Sequence, residues 1–179
     1  MFAECKKLSN PMLYWIVRLA LETGMRRNEM ATLRRGQVDL KKRVIHLRSD
    51  DTKTNEARLV PLSHHAVDVL DEAMNKHIRI IDSDLIFWGE SRDPTGKRQP
   101  YDFTTTWNTV RKRVMLQDFK FHDLRHEAIL RMVEGGLSDQ EVVAISGHKS
   151  MQMLKHYTHL RSEHLVARLD EINRKFLSR

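Results

Sequence analysis

The chain has 179 residues, 40% of them hydrophobic and 31% charged, with a formal net charge of +7. That length and balance describe one globular domain with a substantial core, and no apolar run approaches the roughly 20 residues needed to cross a bilayer. Cys5 is the only cysteine, which excludes an internal disulfide framework, and residues 1–7 lack the basic-then-apolar order of a secretory leader, so a reducing cytoplasmic setting is expected.

In chain order, residues 11–21 carry Leu13, Ile16, Val17, Ala20 and Leu21 at helical spacing. They predict a helix with Ser9 or Asn10 as N-cap, Pro11 at the first position and Thr23-Gly24 at its end. A second, short helix is expected over residues 27–34, with Met30 and Leu33 inward. The period then changes to two. Val44-Ile45-His46-Leu47 and Ala57-Arg58-Leu59-Val60 read as strands around a polar turn over residues 49–56, and Val38-Asp39-Leu40 adds a third. Ser63 caps a helix carrying Ala66, Val67, Leu70, Ala73 and Met74. Leu85-Ile86-Phe87-Trp88 is too short to assign, and residues 89–100, with their Gly, Pro, Ser and Asp, read as an exposed loop.

From Tyr101 onward five helical pieces are expected. The first has Phe103, Trp107, Val110, Val114 and Met115 on one face. The second covers residues 122–134 and ends at Gly135-Gly136. The third, capped by Ser138, buries Val142, Val143 and Ile145 and breaks at Gly147. Ser150 caps a fourth carrying Tyr157, and residues 162–177 form a last amphipathic piece. The fold class is α+β, mainly α: a helical domain with a small three-stranded antiparallel sheet.

The basic excess favours a polyanion, nucleic acid before anionic membrane. Clusters at Arg34-Arg35, Lys41-Lys42-Arg43, Lys97-Arg98 and Arg111-Lys112-Arg113 are spread along the chain, as on a folded basic surface. On the helix from His122, Arg125 and His126 follow at three and four residues, so all three share a face. Arg125 offers a planar fork to phosphate oxygens, and Arg26 follows a glycine turn at a helix start, where backbone N–H groups also favour anions. His122 and His126 at i and i+4 suit a metal as well. Yet His122-Asp123-Leu124-Arg125-His126 lacks the glutamate of His-Glu-x-x-His, and Arg125 would repel a cation. Tyr157 is a nucleophile only if cations and a base help its phenol, whose ordinary pKa is about 10; alone it reads as a packed or surface residue. Lys53, on a polar turn, is either a proton donor or a solvated cation.

Five short motifs occur in order: Thr23-Gly24-Met25-Arg26-Arg27-Asn28-Glu29; Lys53-Thr54-Asn55-Glu56-Ala57-Arg58-Leu59-Val60-Pro61-Leu62; His122-Asp123-Leu124-Arg125-His126; Ser146-Gly147-His148; and His156-Tyr157-Thr158-His159. With these the chain resembles the catalytic domain of the tyrosine recombinases, the phage-integrase family, over nearly its whole length. The resemblance implies that Tyr157 attacks a DNA phosphate to form a 3′-phosphotyrosyl link and release a 5′-hydroxyl. It implies that Arg26 and Arg125 clamp the non-bridging oxygens, that Lys53 protonates the leaving oxygen, and that His122 and His148 bond the phosphate or move a proton. Glu29 and His126 would support the site. No metal or cofactor is implied. The partners implied are double-stranded DNA and three further copies in a DNA-bound tetramer, with a monomer in its absence.

Two departures accompany the resemblance. The family's members usually carry an N-terminal domain that completes a clamp around DNA, whereas this chain begins almost directly at the catalytic part, so residues 1–179 are expected to form that single domain. Arg26 is followed by Arg27, and Arg26 takes the catalytic role by its place after Gly24-Met25. The rival readings are a DNA-binding module that only grips phosphate, a metal-dependent nuclease and a purely structural helical protein.

Overall fold

The computed structural model describes residues 1–52, 56–76 and 82–148, together with Val166, Leu169, Asp170 and Arg174. A short helix α1 (Phe2–Lys6), not foreseen in the sequence, precedes the central helix α2 (Met12–Thr23). Helix α2 buries Met12, Leu13, Trp15, Ile16, Val17, Leu19 and Ala20, so it is apolar nearly all round, as a helix enclosed by its neighbours must be. Pro11 sits at its N-cap, one position earlier than expected, and the Asn10 side chain accepts the Met12 N–H at 2.9 Å. Gly24 closes it in the left-handed conformation, φ +61°, which costs glycine little and other residues about 1–2 kcal/mol. Helix α3 (Arg27–Ala31) follows at once, shorter than expected, with Met30 and Leu33 fully buried.

The sheet contains β1 (Val38–Asp39), β2 (Val44–Leu47) and β3 (Arg58–Pro61), antiparallel in the order β1-β2-β3. Ile45 stands opposite both Val38 and Val60, and Leu47 opposite Arg58. Helix α4 (His64–Asp71) starts where the Ser63 hydroxyl accepts the Ala66 N–H at 3.1 Å, and it continues as a π turn, Glu72–Lys76.

Residues 89–100 are not a loop. Strands β4 (Trp88–Arg92) and β5 (Arg98–Pro100) form a second antiparallel hairpin. The turn-forming residues lie at its tip, where the Asp93 carboxylate accepts the Thr95 and Lys97 N–H groups. Helices α5 (Thr104–Arg113), α6 (Asp123–Glu134) and α7 (Asp139–Ser146) complete the described fold. Met115, expected on the buried face of α5, is 81% exposed, because the helix has ended and Met115 turns to φ +57°. In α7, Val142 and Ser146 are buried while Val143 and Ile145 are only half-buried. The Ser138 and Glu141 side chains form the reciprocal cap at its start.

Helix α2 packs against α1, α3, α4 and α6, and α7 packs against α6 and β3. These contacts bring the C-terminal ends of α2 and α7 and the start of α6 to one side of the core. The turn expected over residues 49–56 begins as a 3-10 turn at Ser49–Asp51, but Lys53 itself and the segment expected to carry Tyr157 lie outside the described residues. Beyond them, Val166 and Leu169 are helical and exposed.

Candidate active site

Two glycine turns frame the site. Gly24 ends α2 just before Arg26, and Gly147, at φ +69°, ends α7 just before His148. Both reverse the chain within one residue, so the side chains that follow stand on rigid helix ends. Arg26, the N-cap residue of α3, donates through Nη2 to the Gly147 carbonyl and through Nη1 to Glu29 Oε1 at 3.0 Å. Arg125, on the first turns of α6, donates through Nη1 to the Gly24 carbonyl. Its Nη2 lies 3.2 Å from Nε2 and 3.4 Å from Nδ1 of His148. Each arginine therefore reaches across to the turn beside the other.

The start of α6 is fixed by an aromatic cluster. Phe121 lies 4.7 Å from Phe103 and 5.3 Å from Trp107 between ring centroids, the latter edge-on. Such pairs contribute about 0.5–1.5 kcal/mol each beyond burial, and here they hold His122 and Arg125 at a set height over the core. The His122 and His126 rings meet edge-to-face at 4.7 Å. A cavity of about 250 Å³ opens among Ala20, Met25, Arg27, Phe121, His122 and Arg125, ample for a phosphate diester.

Arg26 and Arg27 are separated by their surroundings. Arg27 lies over the Phe103 ring at 4.5 Å and donates to Thr104 Oγ1 and Asp102 Oδ1, whereas Arg26 turns toward Glu29 and Gly147. Among the described residues no group of three His, Cys, Asp or Glu converges to hold a metal ion.

The electrostatics follow from burial. His148 is pushed down to about 4, first by desolvation and then by the Arg125 and Arg26 cations, with His126 and His122 adding to them. Ser146, fully buried, places its hydroxyl 2.7 Å from His148 Nδ1. His122 is lowered by desolvation, then by His126 and Arg125, against an opposing Asp123. At pH 7 the His148 ring is therefore neutral, able to donate from one nitrogen and accept at the other.

A measurable consequence follows. The unfolded ring takes its proton near 6.5 and the folded ring only near 4, so between these values the unfolded chain binds more protons. Stability falls as pH drops from 6.5 toward 4. Thermal melts over that window should show a decline that is shallower in His148→Gln; equal slopes would contradict the buried, cation-flanked ring.

Glu29 is the hub behind the arginines. Burial, the largest single influence, pushes its carboxyl pKa up, but hydrogen bonds from Arg58 and from the Arg26 backbone and side chain outweigh it and leave the pKa below the ordinary value. Arg58 forks onto both oxygens at 2.9 and 2.7 Å, and the Arg26 N–H adds a bond of 2.8 Å. A buried carboxylate costs several kcal/mol unless its lone pairs are met in this way. Arg58 is the residue that sequence reasoning missed. The signal lay in strand alternation: Arg58 stands two before buried Val60 and beside outward Leu59, so it faces inward and needs an acid.

Thus the structure gathers Arg26, Glu29, Arg125 and His148 around the two turns, with His122 and His126 alongside. Lys53 and Tyr157 lie outside the described residues.

Residues 1–164 match the model of the phage integrase family. The chain is similar to the shufflon-specific DNA recombinase of Escherichia coli, 43% identical over 168 residues that cover 93% of this chain and 39% of that protein. Among solved structures, the catalytic domain of bacteriophage HP1 integrase superposes with a TM-score of 0.67 at 26% identity, covering 94% of this chain and 87% of that one. The Tn1549 transposon integrase, solved with circular intermediate DNA, superposes at 0.71 over 96% of this chain and 63% of that one; at 19% identity it shows the shared fold. The chain spans 39–54% of the length of the curated relatives it matches.

Proposed function

The chain belongs to the phage integrase family, and from that membership we propose that it is the DNA strand-transfer domain of a site-specific recombinase. The observation that carries the reading is the meeting of Arg26 and Arg125, from helices a hundred residues apart, at turns that also hold a neutral His148.

In the proposed reaction the Tyr157 hydroxyl attacks a backbone phosphorus. The bond from phosphorus to the 5′-oxygen breaks, a 3′-phosphotyrosyl bond forms, and Lys53 gives the departing oxygen its proton. Charge grows on the non-bridging oxygens as phosphorus becomes five-coordinate. Preorganised donors aimed at such charge contribute about 3–4 kcal/mol each, and Arg26 and Arg125 are the two donors we assign to it. A group titrating near 4 is a weak base for a phenol, so in the free chain His148 is suited to hydrogen-bond the phosphate. Desolvation and the two arginines hold the ring low in the free chain; an incoming phosphate anion offsets the arginines, so that once DNA is bound His148 can take the proton that the Tyr157 hydroxyl loses on attack. His122 borders the cavity with His126 packed edge-on against its ring, and Glu29 holds Arg26. Because the phosphotyrosyl bond conserves the energy of the broken one, a second 5′-hydroxyl can reverse the step on another strand without a cofactor.

The net charge of +7 supports duplex DNA as the partner. We place the whole chain, residues 1–179, in this catalytic role, acting on nucleoid DNA in the bacterial cytoplasm. Four copies assemble on two duplexes, and the free chain is a monomer. The test is a nicked suicide duplex whose cut end diffuses away. An SDS-resistant protein–DNA adduct should form to the same extent with and without chelator. Loss of cleavage on chelation would favour a metal-dependent nuclease, and salt-sensitive binding without adduct a passive DNA-binding module.

A further inference from the structure

The geometry points to Arg58 as a positioning residue for this reaction: from strand β3 its guanidinium braces both Glu29 and the Gly147 turn, and so sets Arg26 and His148 together. The inference rests on the proposed strand-transfer reading.

Arg58 has a side chain only 9% exposed and engages through all three nitrogens. Nη1 and Nη2 fork onto the Glu29 carboxylate, and Nε donates to the Ile145 carbonyl at 3.2 Å, two residues before Gly147. A Cβ on Gly147 would fall 2.8–2.9 Å from Arg58 Cζ, Nε and Nη1, so the flat guanidinium lies directly against the turn's backbone. Arg26 closes the ring by donating to both Glu29 and the Gly147 carbonyl. Strand β3, helix α3 and the end of α7 are thereby linked through one buried carboxylate, and His148 is the next residue along.

The arrangement also settles a competition. A buried carboxylate beside two arginines can take one of them in a fork. Arg58 holds that fork, so Arg26 is attached by single bonds through Nη1 and Nη2 and keeps its fork off Glu29. Without Arg58, Glu29 would draw the Arg26 guanidinium onto both its oxygens and away from a phosphate. Lysine cannot take over the task, since it has one nitrogen and no plane to lay against Gly147.

The test measures adduct formation on the suicide duplex in single turnover, at saturating DNA, for Arg58→Met and Arg58→Lys, with affinity measured separately. Both variants should react at least about tenfold more slowly at saturation, with the Kd for duplex changed less than about threefold. Adding Glu29→Gln to Arg58→Met should slow the reaction no further than about twofold and can restore part of it, because both substitutions act on one link and the amide no longer draws Arg26 into a fork. A normal saturating rate with weakened binding would overturn the proposal, as would losses that multiply. Should Arg58→Met not fold, Arg58→Lys alone decides.

If the unaltered chain forms no adduct, the strand-transfer reading fails, and the positioning of His148 is then read by NMR titration of its ring. In Arg58→Lys the ring should titrate clearly higher than in the unaltered chain, as the turn relaxes and the ring regains water and leaves Arg125 and Arg26, with His126 and His122 less close. An unchanged value would overturn the proposal.

Discussion

Tyr157→Phe should abolish covalent attachment to the nicked duplex, a loss on the order of 10⁴-fold or more, while leaving duplex affinity within about twofold. The substitution removes one oxygen and keeps the ring. Water could still attack the polarised phosphorus, but it is not tethered and its product is hydrolysed DNA rather than a protein adduct. A phenol with an ordinary pKa near 10 needs help to react at neutral pH, and in the proposed reaction Arg26 and Arg125 would supply a field that favours phenolate. The measurement is the yield of SDS-resistant adduct. Adduct at the normal rate in Tyr157→Phe would mean another nucleophile, and the assignment would fall.

Arg125→Lys should lower the saturating single-turnover rate about 10²- to 10³-fold, although charge is conserved. Arg125 is 3% exposed and divides its donors between the Gly24 carbonyl and His148. An ammonium can satisfy the carbonyl or face the phosphate, but it has no rigid plane with which to do both. Where the ammonium faces the phosphate, the buried Gly24 carbonyl loses its partner, which costs about 1–3 kcal/mol of stability. Melting temperature and adduct rate should both fall. A rate within about threefold of the unaltered chain would show that charge alone suffices and that the fork is not used.

Much of the fold was legible because periodicity reports burial. Helix α2 and the three-stranded sheet follow directly from spacing at about 3.6 and 2 residues, and the α4 and α7 starts from capping serines. The misses have physical reasons. Residues 89–100 carry turn formers at the tip of a hairpin whose arms are polar, so no alternation marks strands β4 and β5. Met115 continues the apolar face of α5 in sequence, but the chain leaves the helix before reaching it. Helix α1 is too short to show a period.

The chemistry of the site was likewise written locally: Arg26 after its glycine turn, Arg125 on a helix with two histidines, and His148 after Gly147. What the sequence by itself determined is the set of reactive groups and the elements that carry them, since residue type and local period need only a few neighbours. Only the tertiary structure decided that Arg26 and Arg125 reach across to each other's turns, that the pKa of His148 is pushed down, and that Glu29 is shared between Arg26 and Arg58. Those outcomes depend on desolvation and on contacts between residues up to 121 positions apart. Both are properties of the packed chain, which no local window of sequence contains.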